Sequence, residues 1–187
     1  MIRPTKSFSL STNKKILVFI CIFFSCTLFS QNKNTAVKIE TSLFNNLYKL
    51  NDSLYRSEQP DSLDKELLQQ LGIKSILNLR RYHIDEDFLG KNHFSLYHVK
   101  MFAFCITNKK IADAMQVIVS APKPLLIHCK HGSDRTGAVI AMYRILFGNW
   151  TKQEALDELK NRQFGFHRIF INIPCYIKKV KLEKVRR

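Results

Sequence analysis

The sequence predicts an α/β fold in which a small, central and mainly parallel sheet is flanked by helices. One observation is the order strand, helix, strand between residues 54 and 79, because a crossover of this kind pairs its two strands in parallel. A second is the apolar run Leu125–Ile127, which is followed by a polar loop and a helical pattern that opens at Arg135. The 187 residues, 45% of them hydrophobic, suit one domain with a sizeable core.

The first thirty residues differ in composition from the rest of the chain. Basic residues between Arg3 and Lys15 precede the apolar stretch 16–29, which is short for a membrane span but typical of the core of a signal peptide. We therefore predict that residues 1–30 are a signal peptide or, alternatively, an N-terminal membrane anchor. The protein is then expected to be exported, periplasmic or membrane-anchored through residues 16–30, with residues 31–187 forming the single folded domain.

The first part of this domain carries short apolar patterns separated by turn residues. Residues 31–41 are polar and are expected to be loose. After them we predict, in order, two short edge strands, Leu43–Leu50 and Leu54–Arg56, joined by a turn at Asn51-Asp52; a helix through Leu63–Leu71, capped by Asp61 or Ser62 and ended by Gly72; a buried strand, Ile73–Leu79; a polar loop, Arg80–Asn92; and a strand, Phe94–Val99.

The second part of the domain is mainly helical. We predict, in order, a helix over Asn108–Ser120, ended by Pro122 and Pro124; the central strand and the helix that opens at Arg135; a helix over Lys152–Arg162, with Thr151 and Glu154 as a capping box; and a final helix with a basic face over Asn172–Lys184. The central loop is expected at the carboxyl end of a parallel strand, where α/β sheets bind their ligands.

The central loop reads HCKHGSDRTG from His128 to Gly137. Successive backbone N–H groups in such a loop, together with the positive end of the following helix dipole, form a cradle for an anion such as phosphate. The same field favours the thiolate of Cys129, which makes this residue a nucleophile. The planar guanidinium of Arg135 is suited to holding two oxygens of a phosphoryl group.

These residues resemble the signature of the protein tyrosine phosphatase superfamily, in which His-Cys is followed by five residues, Arg, and Ser or Thr. HCKHGSDRTG is most similar to the dual-specificity branch, particularly its small bacterial exported members. The segment Leu54–Pro60, LYRSEQP, resembles a second landmark of these phosphatases. The resemblance implies a tyrosine-phosphatase-like fold for residues 31–187. It also gives Arg56 a role near the phosphate pocket, although an exposed or ion-paired arginine is an equal alternative.

The resemblance implies hydrolysis of phosphate monoesters, of phosphotyrosine and also phosphoserine or phosphothreonine, through a phosphocysteine intermediate. Cys129 would be the nucleophile, His128 would orient the loop, and Thr136 would hydrogen-bond the cysteine sulfur. The phosphate group would be bound by the loop residues Lys130, His131, Gly132, Ser133, Asp134 and Arg135. No cofactor is expected. A metal site formed by His128, Cys129 and His131 is not expected either, because these ligands are crowded into four residues.

The general acid is the point at which the chain departs from the family pattern. Relatives place an aspartate some thirty residues before the cysteine, whereas residues 100–108 contain no carboxylate. Asp134, inside the cradle, is the first candidate to protonate the leaving oxygen. Asp85, Glu86 and Asp87 on the preceding loop are the second. A third alternative is catalysis without a protein acid, which would restrict good substrates to those with an easily departing group.

Charge and cysteine content add two further expectations. The chain has 30 Lys and Arg against 15 Asp and Glu, and this excess favours anionic ligands such as phosphoproteins, inositol phosphates or acidic lipids. The alternatives are therefore an inositol phosphate or phosphoinositide phosphatase, or a weakly active phosphate-binding pseudophosphatase. Nucleic acid is not an expected partner, because no recognition motif is present. Cys105 and Cys175 are expected to be packed in the interior or, alternatively, bridged.

Overall fold

The computed structural model describes residues 35–90 and 92–185. The predicted signal peptide or anchor, residues 1–30, lies outside the described residues, as does the membrane association assigned to residues 16–30. Among the helices of the described part, none combines the length and apolarity needed to cross a bilayer.

A six-stranded sheet forms the centre of the domain, with the strand order β1-β2-β3-β6-β4-β5. β1 and β2 pair antiparallel, as do β2 and β3, whereas β3, β6, β4 and β5 run parallel to one another. The strands are β1 (Val37–Lys38), β2 (Tyr48–Asn51), β3 (Leu54–Ser57), β4 (Ser75–Asn78), β5 (Ser95–His98) and β6 (Leu125–His128). The predicted α/β class with a mainly parallel sheet is confirmed, and β6 is its central strand.

In the described residues, six helices cover the two faces of the sheet. They are α1 (Lys65–Gln70), α2 (Glu86–Leu89), α3 (Asn108–Ser120), α4 (Asp134–Phe147), α5 (Lys152–Lys160) and α6 (Asn172–Lys179), with single 3₁₀ turns at Arg162–Phe164 and Leu182–Lys184. Helix α4 follows the central strand and contacts α3, α5 and α6. It is therefore buried on nearly all sides, with every residue from Thr136 to Met142 inside.

The side chains of β6 alternate between two hydrophobic clusters. Leu125 and Ile127 pack into the cluster that contains α4, whereas Leu126 packs on the opposite face of the sheet with Leu68 and Ile76. All four β6 side chains are fully buried, as expected of a strand with parallel neighbours on both sides. The central strand thus places its carboxyl end, and the loop that follows, on a rigid support.

Several predicted elements differ from the observed ones in the first half of the domain. The segment over residues 54–56 is an inner strand rather than an edge strand, because all four residues of β3 are buried and β6 pairs with it. The loose segment predicted over residues 31–41 contains β1, and the strand predicted over residues 43–50 begins only at Tyr48. The polar loop predicted over residues 80–92 includes α2, which the buried Leu89 anchors.

The predicted caps and helix ends are also corrected in places. α1 begins at Lys65, because the Asp64 carboxylate accepts the N–H of Asp61, and Asp61 accepts that of Leu63 in a preceding turn. The capping box of Thr151 and Glu154 is confirmed. The two C-terminal helices end earlier than predicted, at residues 160 and 179, because Asn161 and Val180 adopt extended backbone conformations.

Cys105 and Cys175 are both free thiols and both exposed, so the prediction that they pack in the interior is wrong.

Candidate active site

The loop between β6 and α4 is closed by a glycine that nothing larger could replace. Gly132 has a φ of +69°, and a Cβ built on it would lie 2.5 Å from the carbonyl carbon and oxygen of Ser57. This separation is far inside van der Waals contact, so the loop passes directly against the end of β3. Cys129, the first residue of the loop, is 1% exposed at the end of the central strand.

Three successive carbonyls of the loop accept hydrogen bonds from residues outside the loop and therefore point away from its centre. Gln59 donates its backbone N–H to the carbonyl of Lys130 at 3.2 Å, and the Asn46 amide donates to the carbonyl of His131 at 2.7 Å. Arg56 donates to the carbonyl of Gly132 at 2.7 Å. Because the C=O and N–H of one peptide plane point in opposite directions, the next three N–H groups are turned toward the inside. The predicted anion cradle has this arrangement.

Arg56 supports the loop from below. Its side chain is 1% exposed, and its guanidinium lies 4.0 Å from the centroid of the Phe164 ring. Burial lowers the pKa of Arg56 to about 10, which still leaves it charged at neutral pH. Arg56 is therefore buried and supports the loop between β6 and α4 through its hydrogen bond to Gly132. The alternative of an exposed arginine is wrong. Its charge lies beneath the loop rather than in contact with solvent.

His128 connects the loop to the neighbouring strand through a buried carboxylate. Its Nε2 lies 2.8 Å from Oδ2 of Asp85, and both side chains are buried. Oδ1 of Asp85 also accepts the side-chain amides of Asn78, at 2.8 Å, and Gln59, at 3.2 Å. Burial alone would raise the pKa of Asp85, but the hydrogen bond and charge of His128, with the Gln59 amide, outweigh burial and hold this pKa below its usual value.

Asp85 therefore supports His128 in this structure, and its alternative assignment as the general acid stays a prediction. Glu86 and Asp87 are exposed in the first turn of α2.

We predict that the stability contributed by Asp85 depends on pH in one direction. Its folded-state pKa is depressed, so its contribution is present above the unfolded pKa and is lost as the pH falls through the folded value. Asp85→Asn should lower the free energy of unfolding by about 1–3 kcal/mol at pH 7, with a smaller deficit near pH 3. Urea unfolding at both pH values measures this change, with Asp87→Asn, exposed in the same helix, as the control. A deficit that is equal at the two pH values would contradict the proposed carboxylate network.

Arg135 and Thr136 occupy the first turn of α4. Arg135 is half-buried, and neither its Nε nor the buried hydroxyl of Thr136 has a hydrogen-bond partner among the described residues. The hydrogen bond expected between Thr136 and the cysteine sulfur is therefore not formed in this structure. Within the part of the chain that the structure describes, the Nε of Arg135 is thus available for hydrogen bonding to a phosphoryl oxygen.

A second arginine near the loop was not singled out from the sequence. Arg80 follows β4, and its guanidinium donates to the side-chain carbonyl of Gln59 at 3.4 Å. Partial burial lowers the pKa of Arg80, and repulsion from Arg135 lowers it further. The two cations follow β4 and β6, whose parallel pairing brings their carboxyl ends to the same edge of the sheet. Because this arrangement depends on the pairing of β4 with β6, the local sequence could not predict it.

Asp134 is buried and bound to a histidine from a distant loop. Its Oδ1 accepts the backbone N–H of His167 at 3.0 Å, and its Oδ2 lies 2.9 Å from Nδ1 of the same residue. The assignment of Asp134 as general acid stays a prediction, and the structure adds that its carboxylate faces His167. The ring of His167 lies 5.1 Å from that of His131, between centroids. His167 follows Asp134 by 33 residues, so the sequence offered no signal for this contact.

Residues 100–108, where the family pattern places the general acid, carry exposed aromatic side chains in this chain. Phe102 and Phe104 are about half exposed, with ring centroids 5.7 Å apart. Phe104 lies edge-on to Phe170 at 4.7 Å, and Phe170 in turn lies 6.3 Å from the His167 ring. We call Phe102, Phe104 and Phe170 the aromatic rim. The aromatic rim continues from the neighbouring rings of His131 and His167, so an aryl group held by the cradle would have apolar neighbours.

A buried cysteine at the end of a central parallel strand, a loop whose carbonyls are bonded to neighbouring elements and an arginine in the next helical turn form the arrangement that the sequence predicts for an anion-binding loop. The model of the tyrosine phosphatase family matches residues 39–183 of the chain, and the chain belongs to this family.

Two characterised relatives are similar in sequence. Dual specificity protein phosphatase TpbA of Pseudomonas aeruginosa is 30% identical over 143 residues, which cover 75% of this chain and 65% of TpbA. Inositol diphosphatase DSP2 of Oryza sativa subsp. japonica is 31% identical over 125 residues, which cover 62% of this chain and 61% of DSP2. The match thus spans slightly less than two thirds of the length of each relative.

Solved structures of related phosphatases are similar in fold. The crystal structure of P. aeruginosa TpbA has a TM-score of 0.74 at 28% identity and covers 84% of this chain and 97% of its own. A cysteine-to-serine variant of TpbA in complex with phosphotyrosine has the same TM-score. The core catalytic domain of the PP-IP phosphatase SIW14 from S. cerevisiae has a TM-score of 0.66 at 27% identity, covering 76% of this chain and 89% of its own.

Proposed function

We propose that the protein is a cysteine-dependent phosphatase that hydrolyses phosphate monoesters, with phosphotyrosine as its main substrate class and phosphoserine or phosphothreonine as further ones. The observation that carries the proposal is the set of three outward-tied carbonyls at Lys130, His131 and Gly132. They turn the loop amides toward one point beside Cys129, where a phosphoryl group fits. The aromatic rim and the similarity to TpbA support an aryl phosphate.

The reaction would proceed in two displacements at phosphorus. The Cys129 thiolate forms a bond to phosphorus, the bond from phosphorus to the ester oxygen breaks, and the leaving oxygen takes a proton, for which Asp134 is the first candidate donor. Water then attacks the phosphocysteine, which releases inorganic phosphate and returns the thiolate. In both steps the inward N–H groups and the Arg135 guanidinium stabilise the oxygens of the transferring group. His128 and its Asp85 partner keep the loop in position without contacting the reacting atoms.

The proposal is tested by trapping the intermediate. We expect acid quenching of the enzyme during turnover of para-nitrophenyl phosphate to leave one phosphoryl group, located by peptide mass spectrometry on the peptide that contains Cys129. A Cys175→Ser variant is the matched control, because this thiol is exposed and distant in sequence from the loop, and it should trap the same amount. Phosphate release without a labelled Cys129 peptide would contradict a phosphocysteine mechanism.

An inositol phosphate or phosphoinositide is the second candidate substrate. Two cations at this edge of the sheet, Arg80 and Arg135, favour a ligand with more than one anionic group, and the DSP2 similarity points the same way. A panel of phosphotyrosine peptides, phosphoserine peptides and inositol phosphates separates the two candidates by kcat/KM. Higher values for the inositol phosphates than for phosphotyrosine peptides would reverse the order proposed here. Binding of the panel without turnover would instead identify a pseudophosphatase.

We also propose that residues 1–30 direct the protein out of the cytoplasm. The support is the order of basic residues followed by the apolar stretch 16–29, which is the order found in signal peptides. Fractionation of a Gram-negative host should recover the protein from the periplasm, with an N-terminus near Gln31 if the segment is cleaved. Recovery from the membrane at full mass would identify an anchor, and recovery from the cytosol would contradict export.

A further inference from the structure

Two histidines and an aspartate form a cluster at the phosphate loop, and the proposed hydrolysis requires no metal ion there. The candidate ligand atoms of His131, Asp134 and His167 all lie within 4.8 Å of one another. Asp134 is buried at the start of α4, whereas both imidazoles are exposed. An ion from solvent can therefore reach the cluster, and a fixed carboxylate forms its inner wall.

We propose that His131, Asp134 and His167 bind one zinc ion. Two imidazole nitrogens and one carboxylate oxygen form a donor set that zinc accepts, with the fourth tetrahedral position left to water or another ligand. Magnesium and calcium prefer sites built from oxygen atoms, so they should bind poorly here. The donor types thus select a borderline-soft divalent cation.

The geometry requires only small side-chain movements. Zn–N and Zn–O bonds of about 2.0–2.2 Å place neighbouring ligand atoms roughly 3.3 Å apart in a tetrahedral site. Nδ1 of His167 already lies 2.9 Å from Oδ2 of Asp134, and the centroids of the two imidazole rings are 5.1 Å apart. Rotation of the exposed His131 side chain brings the third ligand in. Because the backbone N–H of His167 also holds the Asp134 carboxylate, at 3.0 Å, two of the three ligands are positioned before the ion arrives.

Zinc in this position would act on the phosphate loop, since His131 and Asp134 belong to it. Coordination replaces the contact between Asp134 and the His167 ring. One of the zinc ligands, Asp134, directly precedes Arg135 in the sequence. We expect zinc to lower phosphatase activity, and this part of the inference rests on the proposed function. The binding itself does not, because it is measured without substrate.

The test is isothermal titration of Zn²⁺ into the full chain in a background with all five cysteines replaced by serine, so that no thiolate competes for the ion. We expect one zinc per chain, with affinity reduced at least about tenfold in both His131→Asn and His167→Gln. Both side chains are exposed, so both variants should fold, which circular dichroism checks. His93→Asn, an exposed histidine outside the cluster, is the matched control and should bind zinc unchanged.

Each outcome decides the inference. Saturable binding that both cluster variants weaken, and that Mg²⁺ does not reproduce, supports the site. Binding that is absent, or equal in the two variants and the background, overturns it. Trapping of the phosphocysteine in zinc-free wild-type protein is independent of this result, so failure of the metal site and failure of the proposed hydrolysis are separately visible.

Discussion

Replacing Cys129 with serine is expected to lower kcat/KM for para-nitrophenyl phosphate by about 10⁴-fold or more. A serine hydroxyl is almost fully protonated at neutral pH, so the substitution removes the ionised nucleophile and with it the phosphocysteine route. Cys129 is 1% exposed and packs in the main hydrophobic cluster, and serine has nearly the same volume. The loop should therefore keep its shape. Steady-state release of para-nitrophenol measures the loss.

Two controls separate loss of chemistry from loss of structure. Cys105→Ser, at an exposed thiol, should retain the wild-type rate. The Cys129→Ser protein should still bind a phosphotyrosine peptide, because the inward amides and Arg135 are unchanged. Equal rates for wild type and Cys129→Ser would refute the thiolate mechanism, whereas loss of both binding and turnover would indicate a collapsed loop.

Replacing Gly132 with alanine is expected to disrupt the same site without touching a reacting group. The new Cβ would lie 2.5 Å from the backbone of Ser57 and 2.6 Å from the amide nitrogen of Glu58. Backbone atoms cannot move aside cheaply, so the loop must leave its position against β3. We expect the free energy of unfolding to fall by about 2–4 kcal/mol, from overpacking plus the cost of a positive φ. The activity should fall by about 10²-fold or more, because the amides would be displaced from the cradle.

A matched glycine isolates the contact from the backbone conformation. Gly72 has nearly the same φ, +72°, but an added Cβ there meets no atom within 4 Å. Gly72→Ala should therefore show only the cost of the left-handed conformation, about 1 kcal/mol, and full activity. Urea unfolding and para-nitrophenyl phosphate turnover compare the two variants. Equal effects of the two substitutions would mean that the close approach of the loop to β3 is unimportant.

Local signals were sufficient for the centre of the fold. The apolar run of β6, the loop that begins at Cys129 and the helical pattern after it are adjacent in the chain, so periodicity and turn chemistry located all three. The capping box at Thr151 was equally local. Helix ends were less accurate, because Val180 is apolar and gives no sign that its backbone turns extended. There the Lys152 side chain donates to the carbonyls of Lys178 and Val180, a contact between two helices.

Long-range partners of the site could not be predicted. Asp85 was grouped with its charged neighbours on a polar loop, although only Asp85 reaches His128, 43 residues later. His167 carried no pattern at all, and its contact with Asp134 depends on how α5 returns the chain toward the sheet. The strand that contains Arg56 was predicted to be an edge strand, because the local sequence does not show that β6 pairs with it. The general acid remains a prediction for the same reason, since its choice depends on geometry rather than spacing.

The buried guanidinium of Arg56 makes the formation of the site depend on the folding of distant parts of the chain. It belongs to an early strand, bonds the carbonyl of Gly132, which lies 76 residues later, and packs against the ring of Phe164 further along the chain. An arginine withdrawn from water is stabilised only when these distant partners are present together. Folding intermediates in which the segment around Phe164 has not yet packed would therefore leave Arg56 without this partner, and the loop would reach its final position only late in folding.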